Sequence, residues 1–146
     1  MKSMLLDSAD ATAALGASVA KALGNRAGGV VYLEGPLGAG KTTLARGLLR
    51  ALGVTGAIRS PTYTLLEPYE IARKSLVHLD LYRLADEREL EPLGLRDYPP
   101  ERCWWLIEWP ERGGGRLPAP DLRIQLAHEA AGRRATVSGP LAAELD

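Results

Sequence analysis

The chain has a single cysteine, Cys103, in 146 residues. A lone thiol closes no internal disulfide and builds no multi-cysteine metal site. It stands in an apolar run, where a buried core thiol is expected. Neither sign of charge is in surplus: Lys+Arg and Asp+Glu are both 18, for a formal net charge of +0. That argues against strong sequence-independent nucleic-acid binding, which needs a surplus of phosphate-neutralising residues. Long apolar runs are also missing. No stretch approaches the ~18 apolar residues of a membrane span. Met4-Leu5-Leu6 is followed at once by Asp7 and Asp10, which break any leader-like core, so no secretory signal is expected. The expectation is one soluble cytoplasmic domain over residues 1–146 with no membrane partner. It is long enough to bury roughly two-thirds of its unfolded surface without staples. Internal repeats are absent, and the glycine triplet Gly113-Gly114-Gly115 is the one low-complexity spot.

Against this plain background, Gly35-Pro36-Leu37-Gly38-Ala39-Gly40-Lys41-Thr42 fits G-x-x-x-x-G-K-[ST], the phosphate-binding P-loop. Its context is the one the chemistry requires. A strand-like run, Val30 to Leu33, leads in, and a helix-like run, Thr42 to Leu52, leads out. The glycines let backbone N–H groups turn towards a polyphosphate, and the helix N-terminus adds partial positive charge. Lys41 is expected to neutralise the β- and γ-phosphates of a nucleotide, and the Thr42 hydroxyl to sit on Mg²⁺.

The rest of the chain reads as an α/β domain of mixed strand direction with helices on both faces. Ser8 or Asp7 caps a first helix whose apolar face is Leu15, Val19, Ala22 and Leu23, and Gly24 ends it. Asn25 to Gly29 reads as a turn. In the helix after the P-loop the apolar stripe is Leu44, Leu48, Ala51 and Leu52, with Gly53 as its stop. Thr64 to Tyr69 and Leu76 to Leu81 read as strands joined by a hairpin-like connection, Glu70 to Ser75. Asp86 to Leu90 begins a short helix that Gly94 closes, and its acidic first turn suits the helix dipole. Tyr98-Pro99-Pro100 breaks the chain. Cys103 to Glu108 is a continuous apolar run, the mark of a strand covered on both faces. The glycine triplet reads as a loop. Asp121 to Glu129 and Arg134 to Ser138 form a closing antiparallel hairpin.

A P-loop alone only binds. Hydrolysis or transfer also needs an acid that holds Mg²⁺, directly or through water, and such an acid commonly ends a neighbouring strand. Asp80 ends one apolar strand and Glu108 another, and the sequence leaves open which of them touches the metal. Ser60-Pro61-Thr62-Tyr63-Thr64 is hydroxyl-rich and follows the P-loop helix, as a switch segment that orders around a γ-phosphate does. His78 has no His or Cys nearby and is not read as a metal ligand. Arg83 reads equally as a phosphate contact and as a surface ion pair. Trp104 and Trp105 read as packing residues. The guanine-reading N-K-x-D and the L-S-G-G-Q of transport cassettes are both absent, and little length is left for a lid or acceptor domain.

Together these residues resemble the TsaE (YjeE) family. The resemblance rests on Gly35 to Leu44, Ser60-Pro61-Thr62-Tyr63, His78-Leu79-Asp80-Leu81-Tyr82-Arg83, Leu93-Gly94 and Ile107-Glu108-Trp109, in matching order over almost the whole chain. It implies a single-domain P-loop NTPase fold with a mixed, mostly parallel sheet, flanking helices and a C-terminal antiparallel hairpin. It further implies a small cytoplasmic ATPase needed for threonylcarbamoyladenosine formation in tRNAs that read codons starting with A. Such an ATPase acts with the TsaD–TsaB complex, reaches tRNA through that complex, and supports repeated cycles without transferring the group itself. By match, Thr42 and Glu108 contact Mg²⁺, and Asp80 is a catalytic carboxylate or acts on the metal through water. Lys41, Thr42 and Thr43 hold phosphate, Ser60 to Thr64 form the switch loop, and Trp109 stands at the nucleotide or partner face. Thr12 and Arg133 match family positions that wall the adenine. Pro36 departs from the pattern, which has Asp there. Proline brings no N–H, so nucleotide affinity or loop rigidity is expected to differ. A small-molecule kinase and a purely regulatory nucleotide-binding module use the same P-loop and stay open.

Overall fold

In the computed structural model, which describes all residues except Asn25, Arg73 and Asp146, the apolar run before the P-loop is the middle strand of a seven-stranded sheet. In chain order the strands are β1 (Lys2–Leu6), β2 (Gly29–Glu34), β3 (Leu66–Ile71), β4 (Lys74–Asp80), β5 (Trp104–Glu108), β6 (Leu122–Glu129) and β7 (Gly132–Ser138). The helices are α1 (Ala9–Leu23) and α2 (Lys41–Leu52). Across the sheet the order is β1-β7-β6-β2-β5-β4-β3. The central strands β6, β2, β5 and β4 pair in parallel; β7 and β3 run against them, and β1 pairs antiparallel with β7. The expected mixed sheet with a closing hairpin is present.

The two faces are covered differently. Val31, Leu33, Leu76, Trp104, Leu106 and Ile124 turn to the face on which α1 and α2 lie. Val30, Val77, Leu79, Trp105 and Ile107 turn to the other face, beneath Leu84 in the loop after β4 and short 3-10 segments that bring Leu90 and Leu95. Each fully buried leucine here contributes roughly 1.5–3 kcal/mol. The two α-helices meet closely because both carry glycine at the crossing. A Cβ on Gly16 would run into the Leu44 carbonyl, and one on Gly47 into Ala13.

That contact corrects the stripe expected on α2. Its buried face is Lys41, Leu44, Ala45, Leu48 and Leu49, and Ala51 is exposed. On α1 the Ser8 cap holds, its side chain accepting from the Ala11 N–H, but Ala22 is only half-buried beside buried Thr12, Gly16 and Ala20. Other expected features shift as well. β3 starts at Leu66, because Leu65 is left-handed (φ 67) and its N–H is held by the Pro61 carbonyl at 2.8 Å. The connection read as Glu70 to Ser75 tightens between Ile71 and Lys74, with Ala72 at φ 56; Arg73 within it, like Asn25 in the first turn, lies outside the described residues. The element after Asp86 is a 3-10 segment, Glu87–Leu93, with Pro92 inside it. The glycine triplet falls within another, Pro110–Arg116, broken at Gly114. The sequence reading had no β1. It is an edge strand with only Leu6 buried, and its register is set by β7 at the far end of the chain.

Cys103 is buried, 2% exposed, and its thiol donates to the Trp104 carbonyl at 3.6 Å. Burial pushes its pKa up to about 11. Since the thiolate is the reactive form, the native protein should not react with an aromatic disulfide reagent at neutral pH. One equivalent of thiol should appear on unfolding; prompt labelling of the folded protein would contradict this burial.

Candidate functional site

The parallel order β2, β5, β4 brings three strand ends to one edge. Leu33 registers with Glu108, and Glu108 with Asp80. The P-loop therefore leaves β2 beside the two acids that end β5 and β4. This is the crevice at the carboxyl ends of strands where open α/β sheets bind ligands.

The loop closes onto α2 through Gly40, which is left-handed at φ 107 and carries no side-chain cap. The first N–H groups of the helix therefore face outward without an intrahelical acceptor. A Cβ at Gly40 would meet Arg133 Cδ at 3.2 Å and Thr12 Cγ2 at 3.3 Å, so glycine is needed for space as well as for φ. Lys41 is 5% exposed. Its ammonium donates to the carbonyls of Gly35 and Pro36 (3.0 Å for the latter) and lies 4.2 Å from the centre of the Trp109 ring. Burial lowers the Lys41 pKa, and the charges of Glu108, Asp80 and Glu111 work against that.

Asp80 is 7% exposed and accepts the Tyr82 N–H at 3.1 Å. Its pKa is raised, chiefly by burial, with the Tyr82 hydrogen bond opposing and the Glu108 charge adding to the rise. Glu108 is 2% exposed. Its Oε2 lies 2.7 Å from His78 Nε2, a partner the sequence reading did not find. Trp109 turns the chain out of β5 in the left-handed region (φ 59), a conformation that costs a non-glycine residue roughly 1–3 kcal/mol. It sets the indole against Lys41 and 5.0 Å from the Tyr82 ring.

These groups enclose a cavity of about 400 Å³ lined by Leu37, Gly38, Gly40, Lys41, Thr42, Thr43, Thr62, Asp80, Tyr82, Arg83, Glu108, Trp109 and Arg133. Most of the expected site residues are thus brought together. Gly35, Pro36 and Ala39 are not among the lining residues. Thr12 lies behind Gly40, 1% exposed, its hydroxyl donating to the Ser8 carbonyl at 3.2 Å. Ser60 is exposed, outside the lining, and paired with the Thr62 hydroxyl at 2.7 Å. Arg133 donates to the Gly38 carbonyl at 3.0 Å. Arg83 lines the cavity, yet its guanidinium lies 4.5 Å from the centre of the exposed Tyr63 ring. The sequence reading missed Tyr82 in the wall, although it follows Asp80 by two positions. A larger cavity of about 860 Å³, walled by Leu90, Pro99, Trp105 and Leu117 among others, opens on the other face and includes none of the expected site residues.

Among the described residues no cluster of three or more His, Cys, Asp or Glu could cage a metal. The donor set at the P-loop suits Mg²⁺ instead: a hydroxyl and one or two carboxylates, with phosphates and water completing the shell. Among the described residues no helix is long and apolar enough to cross a membrane.

A model of the family described as threonylcarbamoyl adenosine biosynthesis protein TsaE matches residues 6–136. The Haemophilus influenzae tRNA threonylcarbamoyladenosine biosynthesis protein TsaE is 55% identical over 97 residues, 66% of this chain and 61% of that one. The Bacillus subtilis protein of the same name is 41% identical over 97 residues, covering 66% and 60%. The match therefore spans about three-fifths of the length of these two relatives. The Treponema pallidum protein of that name is 40% identical over 129 residues, covering 87% and 92%. Among solved structures, the crystal structure of Bacillus subtilis YdiB superposes with a TM-score of 0.77 at 29% identity, over 94% of this chain and 84% of that one.

Proposed function

This chain belongs to the TsaE family, and on that premise we propose that it is a single-domain cytoplasmic ATPase of tRNA threonylcarbamoyladenosine synthesis. It binds ATP with Mg²⁺, hydrolyses it slowly alone, and acts with the TsaD–TsaB complex, through which it meets tRNA. The observation that carries this reading is the register pair Asp80 and Glu108 beside Lys41, over a P-loop whose helix N-terminus is uncapped.

That geometry supports the following roles. Helix N-terminal N–H groups and Lys41 hold the β- and γ-phosphates. Thr42 and Glu108 would hold Mg²⁺, which spreads the phosphate charge. Asp80, raised in pKa by burial, orients the attacking water and takes up its proton. Thr62, with Ser60 bonded to it, reaches the γ-phosphate side. Trp109 covers the nucleotide, and Arg133 and Thr12 brace the P-loop on the nucleoside side. Slow intrinsic turnover fits the position of Arg83, stacked on Tyr63 rather than turned onto the phosphates. A missing arginine of this kind costs about 10³–10⁵ in related phosphoryl transfer.

The test is phosphate release by the purified protein, alone and with its cognate TsaD–TsaB complex. A clear rise on adding the complex is expected. If ATP turnover ignores the complex, the family role fails while the P-loop reading stands.

A further inference from the structure

One buried polar pair lies at the site without a role. His78 is 2% exposed and sits on the strand that ends in Asp80. Its Nε2 reaches Glu108 Oε2 at 2.7 Å, a buried contact across 30 positions of sequence. Its Nδ1 is buried and has no hydrogen-bond partner among the described residues. Glu108 Oε1, by contrast, accepts from no described residue and is not among the buried unpartnered atoms, while Glu108 lines the cavity. One oxygen is tied to His78, and the other is left to the cavity that Glu108 lines.

We propose that His78 is the positioning residue of the metal site, holding Glu108 by Oε2 so that Oε1 alone is presented to Mg²⁺ beside Thr42. This deepens the ATPase reading and rests on it. A carboxylate that holds a cation is ionised, so Nε2 donates. Nε2 therefore carries a proton and donates it to Glu108 Oε2. The imidazole N–H fixes the carboxylate through one oxygen only. Lysine or arginine at this place would compete with Mg²⁺. A free glutamate would rotate and offer either oxygen, or both, at an entropic cost on every binding event. Groups that hold a ligand side chain in this way are typically worth 10–100-fold in metal affinity.

The amides of Gln and Asn separate positioning from mere polarity. The Gln amide nitrogen reaches about where Nε2 stands; the Asn amide falls short. The test measures binding of the non-hydrolysable analogue AMPPNP by calorimetry, in EDTA and across a Mg²⁺ series. It compares the wild type, His78→Gln, His78→Asn, Glu108→Gln and the double variant H78N/E108Q. Wild-type affinity is expected to rise with Mg²⁺. His78→Asn should raise the Mg²⁺ concentration for half-maximal effect by about 10-fold and leave the EDTA affinity unchanged. His78→Gln should stay near wild type. In the Glu108→Gln background, His78→Asn should change nothing further. Equal weakening with and without Mg²⁺, or an undiminished His78→Asn effect in that background, overturns the proposal. A wild-type protein whose AMPPNP affinity ignores Mg²⁺ overturns the metal site itself, and the proposal with it.

Discussion

Asp80→Asn is expected to lower ATP turnover by about 10³-fold or more, to leave nucleotide affinity within a few-fold of wild type, and to make the ligand-free protein more heat-stable at neutral pH. The three effects share one cause. Asp80 is 7% exposed, and among the described residues its carboxylate accepts one hydrogen bond, from the Tyr82 N–H at 3.1 Å. Burial and the neighbouring Glu108 resist its charge and raise its pKa. A carboxyl with a raised native pKa stabilises the fold while it stays protonated, below its unfolded pKa. That stability is lost as the pH rises through the native pKa. At neutral pH the charged carboxylate is therefore a burden that the fold carries for chemistry, a common trade at active sites. Asparagine keeps an acceptor for Tyr82 and drops the charge. The gain in melting temperature should shrink as the pH falls into the carboxylate range, where wild-type Asp80 takes up its proton. Phosphate release, nucleotide titration and melts at two pH values check all three. An undiminished rate in the variant would sink the catalytic assignment, and a melting temperature that drops at neutral pH would show that the charge is compensated.

What was legible in the sequence is what is local. The P-loop is read from eight consecutive residues with a strand before and a helix after. Asp80 and Glu108 are read as ends of apolar strands because a covered parallel strand is apolar throughout. Their adjacency is not local. It depends on β5 lying between β2 and β4, and no pattern within β5 states that order. The His78–Glu108 bond is hidden for the same reason, since its partners stand on different strands. β1 escaped because an edge strand buries one side chain and takes its register from the other end of the chain. Periodicity alone places the stripe of α2 on Leu44, Leu48, Ala51 and Leu52, whereas the helix that packs on α1 through Gly47 buries Ala45 and Leu49 instead of Ala51. Thr12 shows the limit of matching by position. Its place near the nucleotide loop was legible, but it is buried behind Gly40 and does not line the cavity.

Lys41→Ala should weaken nucleotide binding roughly 30- to 150-fold, the equivalent of about 2–3 kcal/mol for a hydrogen-bonded charge. The effect stays below the full attraction of an ammonium for a polyphosphate because the ammonium is not idle beforehand. It donates to the Gly35 and Pro36 carbonyls and lies against the Trp109 ring, and those contacts must be exchanged for phosphate oxygens. Burial already lowers its pKa, and the charges of Glu108, Asp80 and Glu111 oppose that. A second anion in the site, the triphosphate, strengthens that hold, so binding should be coupled to a fully protonated Lys41. Lys41→Arg should not rescue. The planar guanidinium carries its charge over a wider fork, and the ammonium of Lys41 fits between two loop carbonyls and an indole as a compact point donor. The ligand-free Lys41→Ala variant should melt below wild type, because it removes the cation that faces the buried Asp80 and Glu108. A wild-type titration curve for Lys41→Ala would contradict the phosphate-binding assignment. Rescue by arginine would show that charge alone, and not the compact donor, is what the loop requires.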